Sequence, residues 1–145
     1  MSKRIMNDTD KRLIDAAKRA RKSAYCPYSG FSVGAALLCA DNSIVTGCNV
    51  ENAAFITVCA EQNAFCKAVS EGKRDYRAIA VIGAPAELPG KYCPPCGKCR
   101  QIIAEFCDPE TFEIILYDTE DSCRVFSLSE LLPESFGGRD LSADM

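Results

Sequence analysis

The chain has 145 residues, 48% of them hydrophobic, with 17 basic and 20 acidic side chains for a formal net charge of -3. That is enough apolar side chain for one sizeable core, while the acidic balance excludes a broad basic surface for nucleic acid or an anionic membrane. Histidine is absent, which removes imidazole as metal ligand, general base or triad member and leaves proton transfer to carboxylate, lysine, cysteine or tyrosine.

Residues 8–24 are expected to form the first helix, capped by Asp8 or Thr9, with Leu13, Ala17, Ala20 and Ala24 at helical spacing. Its basic residues, Lys11, Arg12, Lys18, Arg19, Arg21 and Lys22, are interleaved with Asp10 and Asp15 and read as a solvated outer face. Cys26-Pro27-Tyr28-Ser29-Gly30 breaks the helix. Residues 31–40 form a strand in which Gly34 permits a close approach, and Asp41-Asn42-Ser43 turns the chain so that 44–50 returns antiparallel. A loop over 51–57 leads to a second helix, 59–70, whose Ala60, Ala64, Phe65, Ala68 and Val69 mark it as buried. Residues 76–84 are the near-continuous apolar run of a central strand covered on both faces. A proline-rich connection over 85–95 carries the chain to a third helix, 96–107. Strands at 111–117 and 122–128 are joined by too short a link for a crossover, so they pair antiparallel. A short helix at 129–132 stops at Pro133, and an extended tail begins at Phe136.

The sum is an α/β fold, a three-layer α/β/α sandwich around a mixed five-stranded sheet, forming one domain over residues 1–145. Neither a signal peptide nor a membrane span is expected, so the ten cysteines read as reduced thiols of a cytoplasmic protein. Most of them (Cys26, Cys39, Cys48, Cys66, Cys107, Cys123) fit small buried hydrophobes.

Chemistry concentrates in Val58-Cys59-Ala60-Glu61-Gln62 and Pro94-Pro95-Cys96-Gly97-Lys98-Cys99-Arg100-Gln101. Cys-x-x-Cys is a metal-ligand spacing, and a helix starting near Cys96 puts Cys99 one turn on along the same face. Cys59 offers a third thiolate from another helix start, where unpaired N–H groups favour negative charge. Three protein ligands leave tetrahedral zinc one open position, the catalytic arrangement. Two other readings compete. Cys96 and Cys99 alone suit a structural zinc knuckle, and Cys93 could close a four-thiolate site or hold an iron–sulfur cluster. Against closure, Cys93 lies before two prolines and outside the helix, and a structural site gives no reason for Glu61 to stand two residues after a ligand.

Cys59-Ala60-Glu61 with Pro95-Cys96-x-x-Cys99-Arg100-Gln101 resembles the signature of the small, homotetrameric zinc-dependent cytidine deaminases. The resemblance extends through Tyr28-Ser29-x-Phe31-x-Val33-Gly34-Ala35-Ala36-Leu37, Gly47-Cys48-Asn49-Val50-Glu51-Asn52-Ala53 and Leu131-Leu132-Pro133-x-x-Phe136-Gly137. It implies one zinc per subunit on Cys59, Cys96 and Cys99, with water completing the shell. It makes Glu61 the proton carrier that serves the water, the pyrimidine N3 and the departing amine. It implies that Phe31 packs on the pyrimidine, that the Ala60 N–H meets the pyrimidine O2, and that Asn49 and Glu51 hold the ribose 3′-hydroxyl. Phe55 and Phe136 match aromatics that close a neighbouring subunit's pocket. The implied substrates are cytidine and 2′-deoxycytidine in pyrimidine salvage, with no nucleic-acid or membrane partner. Gln62 and Arg100 stand beside the ligands, and Gln62 departs from the family's usual arginine. A glutamine amide donates hydrogen bonds but brings no positive charge. The competing functions are deamination of another cytosine-bearing compound, as in blasticidin-S deaminases, and a non-catalytic zinc module.

Overall fold

The apolar run that ends at Pro85 decides the architecture, because its side chains alternate between two separate cores. In the computed structural model, which describes residues 1–142, the elements follow in the order β1 (Ser2–Ile5), α1 (Asp8–Arg21), β2 (Phe31–Cys39), β3 (Ile44–Cys48), α2 (Ala60–Ser70), β4 (Tyr76–Pro85), α3 (Gly97–Phe106), β5 (Glu113–Tyr117), β6 (Ser122–Phe126), α4 (Leu128–Leu131) and α5 (Gly138–Leu141). The strands form one sheet in the order β1-β6-β5-β4-β2-β3. Only β4 and β5 pair in parallel, as the α3 crossover between them requires; the remaining neighbours are antiparallel.

Ile79 and Val81 of β4 face one core together with Ala35, Leu37, Ile114, Leu116, Phe65 of α2 and Ile103 of α3. Ala78, Ala80 and Ile82 face the other, with Leu13, Ile14 and Ala17 of α1. Burial on both faces explains why β4 shows no polar alternation. Helices on both sides of the sheet complete the three layers expected. Two glycines set how closely those layers approach. A Cβ at Gly34 would sit 2.0 Å from the Ala17 carbonyl oxygen, and one at Gly47 2.3 Å from that of Ala60. The close approach anticipated at Gly34 is therefore backbone of α1, and Gly47 seats the start of α2.

The sheet has six strands, not the five expected. Ser2–Ile5 carries no apolar alternation and is largely exposed, so nothing local marks it as a strand. It forms because β6 offers an open edge, pairing from Ser2 opposite Val125 to Ile5 opposite Ser122. Arg4 then latches it: its guanidinium donates to both Asp10 oxygens at 3.0 and 2.8 Å and to Glu113 at 3.2 and 2.8 Å. The cap of α1 is Asn7, one residue before the expected pair, in a reciprocal arrangement with Asp10. The helix ends at Arg21, three residues before the expected end. Arg21 is no part of a solvated face: it donates to the carbonyls of Ser32, Ala84, Pro85 and Leu88. The tail after Phe136 is not wholly extended, since Gly138–Leu141 forms a helical turn. Residues 143–145 of that expectation lie outside the described residues.

Candidate active site and metal centre

Cys59 and Cys96 do not lie inside their helices, as the expected limits had them, but are the N-cap residues of α2 and α3. Both have extended backbone and make no side-chain capping bond. The first-turn N–H groups of two helices are thus left facing sulfur, a setting that favours thiolate. The two helices are held in register behind the site by rings. Phe65 of α2 stacks on Phe106 of α3 with centroids 5.8 Å apart and meets Tyr76 of β4 edge-on at 5.3 Å. Complete burial of Phe65 contributes on the order of 2–3 kcal/mol to that junction.

The three sulfurs of Cys59, Cys96 and Cys99 all lie within 4.8 Å of one another. Cys59 to Cys96 is 3.9 Å and Cys96 to Cys99 is 3.7 Å. Tetrahedral zinc with sulfur at about 2.3 Å separates its sulfurs by about 3.8 Å, so the trio fits that ion. The Cys99 thiol, donating to Cys59, holds the Cys59 thiol well below its ordinary pKa, and the Lys98 ammonium acts in the same direction against burial. Cys99 moves the other way, raised by its bond to Cys59, by complete burial and by the nearby Glu61. Cys93 is outside the cluster; burial first, then the charges of Glu61 and Cys96, push its thiol up to about 11. Its sulfur packs instead over Gly83, where an added Cβ would lie 2.8 Å from it and 3.0 Å from the Phe31 ring.

Glu61 is only 4% exposed, and burial raises its pKa despite a hydrogen bond from Cys99. No salt bridge among the described residues includes it. A buried acid without an ionic partner, beside a cluster of thiols, is a costly arrangement with the character of a working proton carrier. Ala60 is the first residue of α2, so its N–H has no partner within the helix. Phe31, 39% exposed, opens β2 beside Cys93.

Asn49 and Glu51 are buried and already engaged. Asn49 accepts from the Val33 amide at 2.8 Å and donates to the Phe31 carbonyl at 2.9 Å. Glu51 accepts from the amides of Tyr28 and Ser29 at 3.0 and 3.1 Å through one carboxylate oxygen, and the Ser29 hydroxyl first, then these amides, hold it below the usual carboxylate range. Both side chains fasten the segment that carries Phe31, and both retain acceptor capacity. Glu51 also lines a cavity of about 240 Å³ with Tyr28, Ser29, Asn52, Phe55 and Thr57. Phe55 and Phe136 are not gathered into the thiol cluster; they stand 78% and 56% exposed. Arg100 donates to the carbonyls of Pro95 at 2.8 Å and Leu131 at 2.7 Å, fixing the approach to α3. The Gln62 Oε1 atom is buried without a hydrogen-bond partner. Sequence reasoning passed over Lys98, whose ammonium donates to the Thr57 carbonyl at 2.7 Å. A cation between two candidate ligands was the available signal.

A mixed α/β sheet with three thiols and one buried acid at two helix starts defines a class, and comparison with known proteins agrees with it. Residues 7–114 match the family described as the cytidine and deoxycytidylate deaminase zinc-binding region, and the chain belongs to that family. Its relatives include cytidine deaminases of Sporosarcina psychrophila, 47% identical over 90% of this chain and 93% of that one, and of Halalkalibacterium halodurans, 47% identical over 90% and 96%. Among solved structures, the cytidine deaminase of Burkholderia pseudomallei is 42% identical with a TM-score of 0.79, covering 90% of this chain and 100% of that one. That of Mycobacterium tuberculosis is 38% identical with a TM-score of 0.74, over 88% and 96%.

Proposed function

We propose that the chain is a zinc-dependent hydrolase that converts cytidine and 2′-deoxycytidine, with water, to uridine and 2′-deoxyuridine plus ammonia. The observation that carries this reading is the juxtaposition of a buried Glu61, hydrogen-bonded by Cys99 but in no salt bridge among the described residues, with three mutually close sulfurs. Cys59, Cys96 and Cys99 would hold the zinc. When bound, the metal acts as a Lewis acid that brings the pKa of a water to about 7. Glu61 takes that water's proton, delivers it to the pyrimidine N3 and later helps protonate the amine that leaves from C4. Burial raises its pKa above the usual carboxylate value, the direction that favours a group which must first accept and then donate a proton. Phe31 offers its exposed ring to the base, the Ala60 N–H offers a donor to O2, and Asn49 and Glu51 offer their remaining capacity to the sugar.

The same reading has one domain acting in the cytoplasm as a homotetramer, with Phe55 and Phe136 closing a neighbouring subunit's pocket. Two features support the assembly. The loop after Asn52 presents Phe55 and Ile56 at 78% and 68% exposure. Phe55 adopts φ +58, a conformation costly for a bulky residue, which Asn52 braces through the Ala54 and Ile56 amides. No helix of the described residues is long and apolar enough to cross a membrane.

The test is to incubate zinc-loaded protein with cytidine, 2′-deoxycytidine and blasticidin S in separate reactions, following ultraviolet absorbance and released ammonia. Turnover of both nucleosides, lost to a chelator and restored by zinc, is expected. Zinc-loaded protein that releases no ammonia from either nucleoside overturns the reading. Sedimentation that gives an active monomer overturns the shared pocket.

A further inference from the structure

Three thiolates and the Glu61 carboxylate carry two more negative charges than a divalent ion neutralises, so the site needs a cation or strong dipoles nearby. Helix starts supply partial charge only. Arg100 is committed to the Pro95 and Leu131 carbonyls, and Gln62 is uncharged. Lys98 is different. It projects from the first turn of α3, between Cys96 and Cys99, and reaches the Thr57 carbonyl, two residues before Cys59. It joins no salt bridge among the described residues, so its charge is not spent on a carboxylate elsewhere. The bond spans the two segments that must converge for the sulfurs to meet.

We propose that Lys98 is a positioning residue of the metal centre: its ammonium straps the start of α3 to the approach to α2 and serves as the fixed positive charge beside the thiolates. The proposal rests on the zinc reading above. The strap keeps Cys59 at the spacing already present between the sulfurs, and the charge offsets the repulsion that three thiolates build up as they gather. Both actions strengthen metal retention. In this role the effect of Lys98 reaches turnover through the metal alone.

Zinc affinity measured by chelator competition tests this without any activity assay. The variants are Lys98→Arg, Lys98→Gln and Lys98→Met, with Lys67→Gln at the far end of α2 as the control for the same change in net charge. Lys98→Arg keeps donor and charge and should stay near wild type, while Lys98→Gln keeps a donor alone. The expected loss is about tenfold for Lys98→Gln and at least that for Lys98→Met, the size usual for residues that support metal ligands. The difference between wild type and Lys98→Gln should shrink as salt is raised, since the ammonium is exposed. Urea midpoints of the metal-free variants, unchanged within error, separate lost affinity from lost folding. Equal affinity for wild type and Lys98→Gln overturns the proposal, even if Lys98→Met binds less, because the bond would then act without its charge. Protein that binds no zinc in any form defeats the underlying reading instead.

Discussion

Asp10 and Glu61 are the two least exposed carboxylates among the described residues, and they are buried for opposite reasons. Asp10, 1% exposed, is saturated: the Arg4 guanidinium, the Asn7 amide and the Cys123 thiol all converge on it. Glu61, 4% exposed, has no ion pair among the described residues, and burial shifts its pKa upward. Asp10 fastens β1 and α1 to the sheet at one end. Glu61 stands at the opposite end, where α2 and α3 begin and the paired strands β4 and β5 run out. A buried charge with an ionic partner organises structure, while one held without such a partner is retained for chemistry.

Exchanging each acid for its amide breaks the comparison most sharply. Glu61→Gln should lower kcat by about 10²–10⁴, the range for removing a positioned proton carrier, with zinc content and urea midpoint unchanged. Asp10→Asn should do the reverse. Activity per folded molecule is kept, but stability falls by about 2–3 kcal/mol in urea unfolding, less than for a fully buried pair because the Arg4 side chain is 32% exposed.

Gly47→Ala comes next. Its Cβ would meet the Ala60 carbonyl, so α2 must move, at about 1–3 kcal/mol of stability and with weaker zinc retention. A chelator titration that matches wild type would show that the seat of α2 does not set the sulfur spacing. The smallest effect concerns a thiol with no proposed chemistry. Burial pushes Cys107 up to about 12 from an ordinary value of 9.0. Between those values the unfolded chain has lost a proton that the folded chain keeps, so stability falls as pH rises through that window. Cys107→Ala should flatten the fall and leave its slope near neutral pH unchanged, as read from urea midpoints across pH.

Much of the site was legible because its chemistry is local. Cys59-x-Glu61 and Cys96-x-x-Cys99 each sit at one helix start, and their spacing carries their geometry. The sandwich was legible for a similar reason: the run through Ile79 and Val81 needs two covered faces. What escaped depends on distant partners. β1 is a strand only because β6 has a free edge and because Arg4 reaches Asp10 and Glu113. Arg21 looked like one more surface cation until four carbonyls from three segments surrounded it. Lys98 was passed over because the Thr57 carbonyl it meets lies 41 residues away. The inward engagement of Asn49 and Glu51 was equally hidden, since spacing gives a side chain's direction but not what it meets there.

X-ray absorption at the zinc edge of the loaded protein tests the central claim most directly. Three sulfur scatterers at about 2.3 Å with one lighter atom at about 2.0 Å are predicted. Four sulfurs, with Cys93 drawn in as the fourth, would describe a closed structural site and contradict the account.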